Sequence, residues 1–418
     1  MVRQLDFPNN PFRQFPKTHY SNVPSFQHSN WGEAPKFSLM NDYQKHGLYI
    51  HIPFCRTKCP YCGFYSIAST SLITRWLEAL RKEVVYYKDR FDCFDSLYLG
   101  GGTPTLLSAK DLEKIMQHLY THFDFAPNTE ITIEANPGDL TPEKADGLKA
   151  MGFNRVNLGV QSFNAQELLF LGRRHTGEEA QSALKTLRSS GFDNVGIDLM
   201  YGFEGQSLKG WINTLNRTLT FRPEHISCYQ LTFERQTPFW GMRAKGVIRP
   251  IGEEEERSFF LTTSRFLEEK GYIHYEVSNF ARKKAYYSRH NYKYWHHVPY
   301  LGLGPSAHSF QNKTRWWNFR SIRRYCEALE DHKAPVEGYE DLTNDQMRLE
   351  SIALGLRTRD GFAIKGTDLD SQSADMLSML QSSGFLNIKK DRIVPTRKGF
   401  LVADHLPLCF DILVALPV

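Results

Sequence analysis

The hydrophobic pattern from residue 47 onward alternates short apolar runs with longer amphipathic stretches. The apolar runs predict six buried strands, at residues 48–52, 96–99, 130–134, 155–160, 194–200 and 224–231. The stretches between them repeat apolar residues at helical spacing and predict helices near residues 72–88, 109–121, 142–151, 178–190 and 207–219. Because strands that alternate with helices form parallel sheets with right-handed crossovers, the sequence predicts an α/β fold, a partial (β/α)6 TIM-like barrel.

Polar residues follow these strands at the points where the strands end. The ends carry Cys55, the glycines 100–102, Glu134, Gln161 and Asp198. In parallel α/β folds the carboxyl ends of the strands meet at one edge of the sheet, where ligands bind. The sequence therefore predicts one site that collects these residues.

The pattern changes after residue 232. Residues 253–270 predict a long helix, and aromatic segments at 272–280, 286–295 and 306–310 predict strands. The remainder predicts a C-terminal mixed α+β, winged-helix-like domain, with helices at 319–331, 343–355 and 370–383 and a hairpin at 386–394. Residues 1–46 show neither the helical nor the strand periodicity of apolar residues, and they contain five prolines. We therefore expect an irregular N-terminal extension.

Charge and composition restrict the partners only weakly. The 51 Lys and Arg residues against 46 Asp and Glu give a formal net charge of +5, which suits an anionic ligand without requiring nucleic acid. No apolar run reaches the ~20 residues that span a bilayer, and the first residues do not resemble a secretory signal. We therefore expect a cytoplasmic protein with no nucleic-acid partner.

Three of the seven cysteines, Cys55, Cys59 and Cys62, lie close together with the spacing C-x3-C-x2-C. Three thiolates on one short loop suit three irons of a [4Fe-4S] cluster and leave the fourth iron open. A structural zinc site is the competing interpretation, and it would need a fourth ligand such as His51. The other four cysteines are scattered, and buried thiols in a reducing compartment are the simpler expectation for them.

The order of the motifs resembles a known family. The cysteine spacing after the first strand and the glycine triplet after the second resemble the radical S-adenosylmethionine (SAM) superfamily. Segments 49–55, 100–105, 159–163, 172–175 and 197–202 resemble, within it, the oxygen-independent coproporphyrinogen III oxidase group. The resemblance implies a radical SAM core barrel over 47–282 and a C-terminal domain of this group over 283–418. It also implies a cluster on the three cysteines and SAM bound by Tyr49, Tyr61, Gly101, Gly102, Thr103, Glu134, Gln161, Arg173 and Asp198.

Residues 290–295 read His-Asn-Tyr-Lys-Tyr-Trp. From the residues alone, a half-buried strand with one hydrogen-bonded histidine is the simpler interpretation, although imidazole binds haem iron and flat aromatic rings suit a porphyrin. The pattern H-N-x-x-Y-W resembles the haem-chaperone branch of the family. That resemblance implies haem binding by His290, Tyr294 and Trp295, with His308 as a second candidate ligand.

Three positions depart from the family pattern. The decarboxylating members carry a fourth cysteine where this chain has Phe64, which argues against that activity. The haem-chaperone branch usually has an aspartate after the third cysteine and Gly-Leu-Pro-Gly-Gln after the fifth strand. This chain has Gly63 and Gly-Phe-Glu-Gly-Gln at those places, the latter at residues 202–206.

The resemblance implies a haem chaperone that binds haem, a [4Fe-4S] cluster and SAM and delivers haem to respiratory haem proteins. An electron donor is a further implied partner, as is peripheral membrane association through the acceptor proteins. The alternative is a radical SAM enzyme that acts on a tetrapyrrole, by oxygen-independent decarboxylation of coproporphyrinogen III or by haem degradation. A nucleic-acid-binding role of the winged-helix-like tail is a third hypothesis, which the small net charge of +5 disfavours.

Overall fold

The six predicted strands and the five predicted helices between them are present in the computed structural model, which describes residues 45–363, 371–389 and 391–411. The predicted N-terminal extension lies outside the described residues, apart from residues 45 and 46. The strands are β1 (His46–Ile52), β2 (Phe94–Gly101), β3 (Phe125–Ala135), β4 (Arg155–Gln161), β5 (Val195–Tyr201) and β6 (His225–Gln230). The helices are α1 (Ile73–Tyr87), α2 (Ala109–His122), α3 (Pro142–Ala150), α4 (Ala165–Phe170), α5 (Gly177–Ser189) and α6 (Leu208–Thr220), of which α4 was not predicted.

Strands β1 to β6 lie side by side in chain order, and each pairs in parallel with the next. The predicted α/β fold with a parallel sheet is therefore confirmed. The helices begin at the predicted caps, since the side chains of Ser108 and Thr141 accept hydrogen bonds from the third residue beyond each. Gly152 and Gly191 follow α3 and α5 with positive φ angles of 94° and 78°, as helix C-caps require.

The two faces of the parallel sheet differ in polarity. One face carries the apolar residues that pack beneath the helices, among them Leu48, Ile50, Leu97, Ile133, Leu158 and Ile197, all of which are fully buried. The other face carries polar residues at every second position, and the register aligns them across neighbouring strands: Tyr49 with Tyr98, Glu134 with Asn157, and Asp198 with Ser227. Side chains that alternate along a strand point to opposite faces. The structure thus gathers a row of buried polar groups on the face opposite the helices.

The chain continues beyond the parallel core as α7 (Pro238–Ala244), α8 (Glu253–Glu269), β7 (Ile273–Glu276), β8 (Asn279–Ala281), α9 (Arg289–Tyr294), β9 (Tyr300–Leu303), β10 (His308–Gln311), β11 (Thr314–Asn318), α10 (Ile322–Glu330) and β12 (Val336–Asp341). Twelve strands form one sheet in the order β12-β11-β10-β9-β1-β2-β3-β4-β5-β6-β8-β7. Strand β9 lies parallel to β1, and β7 and β8 form an antiparallel pair at the other edge. The predicted boundary near residue 282 stays a prediction, and strands from both sides of it share this sheet.

The last elements are α11 (Asn344–Gly355), β13 (Phe362–Ala363), α12 (Ser371–Ser382), β14 (Leu386–Lys389), β15 (Arg392–Pro395), α13 (Arg397–Phe400) and α14 (Leu408–Asp411). The three strands form a separate antiparallel sheet in the order β13-β15-β14. The predicted helices and hairpin of this region are therefore present. Within the described residues, no helix has both the length and the apolar character that crossing a membrane requires.

The strand predicted at 286–295 is wrong, because the segment forms a short 3-10 turn followed by helix α9. The aromatic residues favour a strand by propensity, but the contacts follow a helical spacing. Arg289 donates to the carbonyl oxygens of Asp95 and Asn128, and Lys293, four residues later, binds the Asp95 carboxylate at 2.6 Å. Positions four apart share one face of a helix, so tertiary contacts decide the conformation here.

Glu83 on α1 joins the parallel core to the strands added beside β1. Its carboxylate accepts hydrogen bonds from the Tyr325 hydroxyl at 2.5 Å, the Asn318 amide at 2.6 Å and the Gly304 backbone at 2.8 Å. The side chain has no solvent exposure, and burial raises its pKa from 4.5 to about 7, although the three hydrogen bonds oppose the shift. Removing any one donor leaves a buried acceptor without its partner.

We expect Glu83→Gln to change how stability depends on pH. The folded-state pKa lies above the ordinary value, so the stability of the neutral carboxyl form is fully present below pH 4.5 and is lost as pH rises through about 7. Glutamine cannot ionise. The free energy of unfolding of the variant, relative to that of wild type, should therefore rise by roughly 2–3 kcal/mol between pH 5 and pH 8. Urea unfolding at both values measures this, with exposed Glu78→Gln on the same helix as the control. Equal pH profiles for wild type and Glu83→Gln would contradict it.

Candidate functional site

The cysteine loop connects β1 to α1 at the carboxyl end of the sheet. Its base is fixed by backbone hydrogen bonds from Cys55 to the Ile67 carbonyl at 3.0 Å and from Cys62 to the Cys59 carbonyl at 3.1 Å. All three thiols are free and partly buried. Thr103 donates its hydroxyl to Cys55 Sγ at 3.6 Å, and Arg173 donates Nη1 to Cys59 Sγ at 3.5 Å. Donors to sulfur stabilise thiolates and tune a cluster that they hold.

The three thiols suit a cluster better than a single ion. Among the residues that the structure describes, no three or more His, Cys, Asp or Glu side chains converge on a position where one metal ion would sit. A zinc ion needs four such ligands at bonding distance from one point, whereas each cysteine of a [4Fe-4S] cluster binds a different iron. His51, the candidate fourth zinc ligand, has both ring nitrogens in hydrogen bonds, to the Tyr49 hydroxyl and the Tyr65 carbonyl. The donor set thus fits the cluster.

The glycine triplet packs directly against the base of the cysteine loop. A Cβ atom on Gly102 would lie 2.6 Å from the Phe54 carbonyl oxygen, and one on Gly101 would lie 2.6 Å from the His51 ring. Gly101 also has φ of +106°, a conformation that favours glycine. Its backbone N–H donates to Glu134 at 3.1 Å. The triplet therefore brings β2, the cysteine loop and Glu134 close together, and a plain turn would not need this packing.

Glu134 lies at the end of β3 beside the glycine triplet and is half-buried, and its hydrogen-bond partners are uncharged. It accepts hydrogen bonds from the Tyr98 hydroxyl at 2.9 Å and from the Gly101 N–H. Burial, with a smaller contribution from the nearby Asp198 carboxylate, raises its pKa from 4.5 to about 7. Burial also raises the pKa of Asp198. Two half-buried carboxylates with raised pKa values at this end of the sheet are typical of a functional site.

Several polar atoms at this end of the sheet are buried and have no partner in the structure. They include Gln161 Oε1, Arg173 Nε and Asp198 Oδ1. Gln161 adopts a φ of +65°, a strained conformation for a residue with a side chain, at a register irregularity between β4 and β5. Buried polar groups in native proteins are nearly always satisfied. A polar ligand of the size of SAM would supply the missing partners.

Arg173 is the residue that connects these groups to the cysteine loop. Besides Cys59, it donates Nη2 to the Gly159 carbonyl at 2.6 Å, so its guanidinium spans β4 and the loop. Tyr61 lies beside it, packs on Phe239 at 6.3 Å between ring centroids, and has its pKa raised by burial. Apart from Tyr49 and Asp198, the SAM residues named in the sequence analysis thus lie at the carboxyl ends of β2 to β4, on the cysteine loop or on the loop before α5, whereas Asp198 lies midway along β5.

Tyr49 lies deeper, along a chain of side chains that the sequence analysis did not identify. Its hydroxyl hydrogen-bonds His51 Nδ1 at 3.1 Å, and His51 Nε2 donates to the Tyr65 carbonyl at 2.8 Å just beyond the cysteines. Tyr98 and Asn157 were missed as well, the latter donating to Asp198 at 2.5 Å. A search for polar residues at every second position within each strand would have identified them. The sequence analysis considered only the polar residues at the strand ends.

His290 and Tyr294, two of the residues predicted to bind haem, lie on a helix at the opposite ends of the strands. Helix α9 covers the amino ends of β1, β2 and β3, where the His290 backbone donates to Glu130 and its Nδ1 bonds the Ser96 hydroxyl at 3.0 Å. His290 Nε2 bonds the Tyr294 hydroxyl at 2.8 Å, and the His290 ring lies between 5 and 7 Å from those of Tyr49 and Tyr98. The structure therefore does not bring His290 together with the cysteines.

The two other residues named for haem are placed differently. Trp295 ends α9 half-buried, and the Arg357 guanidinium lies 5.3 Å from its ring centroid. His308 is exposed at the start of β10, where its ring stacks on Trp317 at 5.9 Å.

Comparisons with known proteins identify the family of the chain. The model of the Radical SAM superfamily matches residues 49–218, and that of the HemN C-terminal domain matches residues 342–402. The chain is similar to the protein named Heme chaperone HemW of Mycobacterium tuberculosis H37Rv, with 33% identity over 86% of this chain and 93% of the relative. The protein of the same name in Bacillus subtilis 168 is 32% identical over 86% and 97%.

A solved structure shows the same fold. Coproporphyrinogen III oxidase (HemN) from Escherichia coli, described as a radical SAM enzyme, has a TM-score of 0.75 over 88% of this chain and 90% of its own, at 24% identity. The two family models and the relatives indicate the same group. The relatives share about a third of their residues with this chain, over most of the length of both proteins. The chain therefore belongs to the HemW family of radical SAM, HemN-like proteins.

Proposed function

We propose that the protein is a haem chaperone that holds a [4Fe-4S] cluster and SAM at the carboxyl end of its parallel sheet and delivers haem to respiratory haem proteins of the same cell. The observation that carries the proposal is the similarity to proteins named haem chaperones along 86% of the chain. The cysteine spacing, the partnerless polar atoms and the absence of a fourth cysteine at Phe64 support it. A cytoplasmic location and an electron donor belong to the same proposal.

Cys55, Cys59 and Cys62 would hold the cluster, and Thr103 and Arg173 would donate to two of its sulfur ligands. The glycine triplet would admit the amino-acid end of SAM close to the backbone. Glu134 and Asp198 would accept hydrogen bonds from its hydroxyl groups and pair with its positive charge. Gln161 would hydrogen-bond its remaining polar atoms. SAM bound in this way supplies a sulfonium that a single electron cleaves. The residues themselves bind, orient and shield the group from water.

The alternative, a radical SAM enzyme acting on a tetrapyrrole, rests on the same residues. Phe64 distinguishes the two, because it occupies the place of the fourth cysteine and exposes 67% of its surface to solvent. A phenylalanine supplies neither a thiol nor a proton. The position therefore favours the chaperone, and assay of coproporphyrinogen III with SAM and a reductant tests the alternative.

Haem titration tests the proposal. Haem is added anaerobically to cluster-loaded protein and followed at the Soret band, and the loaded protein is then mixed with an apo-form of a b-type cytochrome. Saturable binding at one site, followed by transfer of the Soret signal to the cytochrome, is expected. Binding that never saturates, or saturable binding without transfer, would overturn the chaperone role and leave the enzymatic alternative.

We expect Asp198→Asn and Glu134→Gln to weaken SAM binding by about 10-fold or more each while the cluster is retained, since charged hydrogen bonds contribute about 1.5–3 kcal/mol. Because the pKa of Glu134 is about 7, its carboxylate forms as pH rises through 7, so SAM affinity should rise over that range and Glu134→Gln should flatten the rise. Calorimetry at several pH values, with exposed Asp193→Asn as the control, measures both. Wild-type affinity in the two variants would remove these residues from the site.

A further inference from the structure

Arg155 is the first residue of β4 and carries a buried charge that the fold does not pair. Only 1% of its surface is exposed, and two of its three side-chain nitrogens, Nε and Nη1, have no hydrogen-bond partner. A guanidinium keeps its proton in proteins. Because burying a charge without hydrogen bonds costs free energy, native proteins seldom keep such a residue unless its charge is used.

The Arg155 side chain reaches from β4 across to β5. A Cβ atom on Gly196 would lie 3.4 Å from Arg155 Nη2 and would collide with Asn157 Oδ1, so both side chains lie over this glycine. The register pairs Gly196 with Asn157, and alternate residues of a strand share a face. Asp198 therefore lies on the same face, two residues or about 7 Å further along β5. The guanidinium lies one interior position below Asp198, on the side away from the cysteine loop.

Asn157 connects the two groups. Its amide donates to Asp198 Oδ2 at 2.5 Å, while Asp198 Oδ1 is buried and has no partner. Burial raises the pKa of Asp198, and the hydrogen bonds from Ser227 and Asn157 and the charge of Arg155 oppose the shift. Arg155 thus favours the ionised form of a carboxylate that is half-buried among protein groups.

The other titratable or charged groups that face Asp198 are Tyr98, Tyr229, Cys228, Glu134 and Arg173. Burial raises the pKa values of the two tyrosines and the cysteine, so these three stay neutral near pH 7. Arg173 already donates to Cys59 Sγ and to the Gly159 carbonyl. Of the two cations near Asp198, Arg155 is the one whose charge no described contact uses.

We propose that Arg155 is a positioning residue of the SAM site that acts through Asp198: its unpaired guanidinium keeps this carboxylate ionised, so that Asp198 can pair with the positive charge of SAM. The inference deepens the proposed function and rests on SAM binding at this site. Charges in a protein interior are screened less than charges at the surface, so the effect extends over the ~7 Å between the two positions.

A purely structural role as the counter-ion of Glu130 explains less. Glu130 has the largest electrostatic effect on Arg155 among the carboxylates, but its Oε1 accepts the His290 backbone N–H at 3.2 Å. A counter-ion of Glu130 would not need to leave Nε and Nη1 without partners. Replacing such a counter-ion should change stability alone, whereas replacing a positioning residue should change how SAM affinity depends on pH.

The test measures SAM affinity by calorimetry on the full-length, cluster-loaded protein between pH 6 and pH 9. The variants are made in a Glu134→Gln background, so that Asp198 is the carboxylate of the site that still titrates. Arg155→Met removes the charge, Arg155→Lys keeps it, and Arg265→Met removes an exposed arginine as the matched control. Each is compared with the background protein at the same pH, which cancels any titration of SAM itself.

We expect Arg155→Met to bind SAM about 10-fold more weakly than the background at pH 6 and nearly equally at pH 9. Removing a positive charge at this distance raises the pKa of a carboxylate by about 1 unit or more, and one unit corresponds to a factor of ten. Arg155→Lys should keep most of the affinity at both values, and Arg265→Met should keep all of it.

Unchanged affinity of Arg155→Met at pH 6, or a loss of the same size at every pH, would overturn the inference and leave SAM binding intact. Absence of saturable SAM binding by wild type would instead overturn the proposed site. Iron and sulfide content and the thermal transition show whether each variant keeps its cluster and fold. If Arg155→Met does not fold, the neutral but polar Arg155→Gln provides the same comparison.

Discussion

Replacing Cys55, Cys59 or Cys62 by serine is expected to leave a protein that cannot hold its cluster. Each thiol would bind a different iron, and the loop that carries them offers no fourth cysteine at Phe64 that could take over. Two remaining ligands do not hold four irons, so iron and acid-labile sulfide should fall close to zero after anaerobic reconstitution. The absorbance near 400 nm should disappear with them.

The change should be local. The loop is fixed by backbone hydrogen bonds at Cys55 and Cys62 that a serine preserves, so the variants should fold and keep their thermal transition within a few degrees. Cys93→Ser is the matched control, because that thiol is partly exposed and lies outside the loop. Iron and sulfide at wild-type levels in any of the three loop variants would refute the cluster assignment.

The second large effect is expected from His290→Ala. The substitution removes a fully buried ring that contacts Tyr49 and Tyr98 and leaves the hydroxyls of Ser96 and Tyr294 without their partner. A cavity of this kind and two unsatisfied hydroxyls cost about 3–5 kcal/mol, a large share of the ~5–15 kcal/mol of a typical domain. Urea unfolding should show this loss, and His308→Ala, on an exposed side chain, should show little.

The pH dependence gives a second readout for His290. Its folded-state pKa of about 3 lies below the ordinary 6.5, so the stability that the neutral ring provides is present above pH 6.5 and is lost as pH falls toward 3. His290→Ala should therefore lose less stability than wild type between pH 7 and pH 5. An undiminished free energy of unfolding in the variant would contradict the buried position. A haem defect in this variant, by contrast, would reflect the damaged core as well as any lost ligand.

The parallel core was readable from the sequence because its signals are local. Apolar runs, capping residues such as Ser108 and Thr141, and the C-cap glycines 152 and 191 agree with one another, and agreement between independent signals makes an assignment secure. Strands β11 and β12 were missed for the opposite reason. Strand β12 carries three acidic residues, β11 is only five residues long, and both are partly exposed. They pair with each other at the edge of the sheet, and no local sequence pattern records that pairing.

The same contrast between local sequence signals and tertiary contacts applies to the residues of the site. The cysteines, the glycine triplet and the polar strand ends could be found because parallel strands place their carboxyl ends together, and the structure keeps them together. Segment 286–295 could not be placed, because its conformation depends on the carbonyl of Asn128 and the carboxylate of Asp95, which are distant in sequence.

Strand β1 pairs on one side with β2 and on the other with β9, where Gly47 lies opposite Tyr300. During synthesis at about 5–20 residues per second, β9 emerges roughly 10–50 s after β1. Throughout that interval the nascent chain presents an uncovered strand edge, a template for pairing with other chains. The cysteine loop follows directly from that strand. Yield in the cell should therefore depend on holdase chaperones and on translation speed more than the stability of the finished protein suggests.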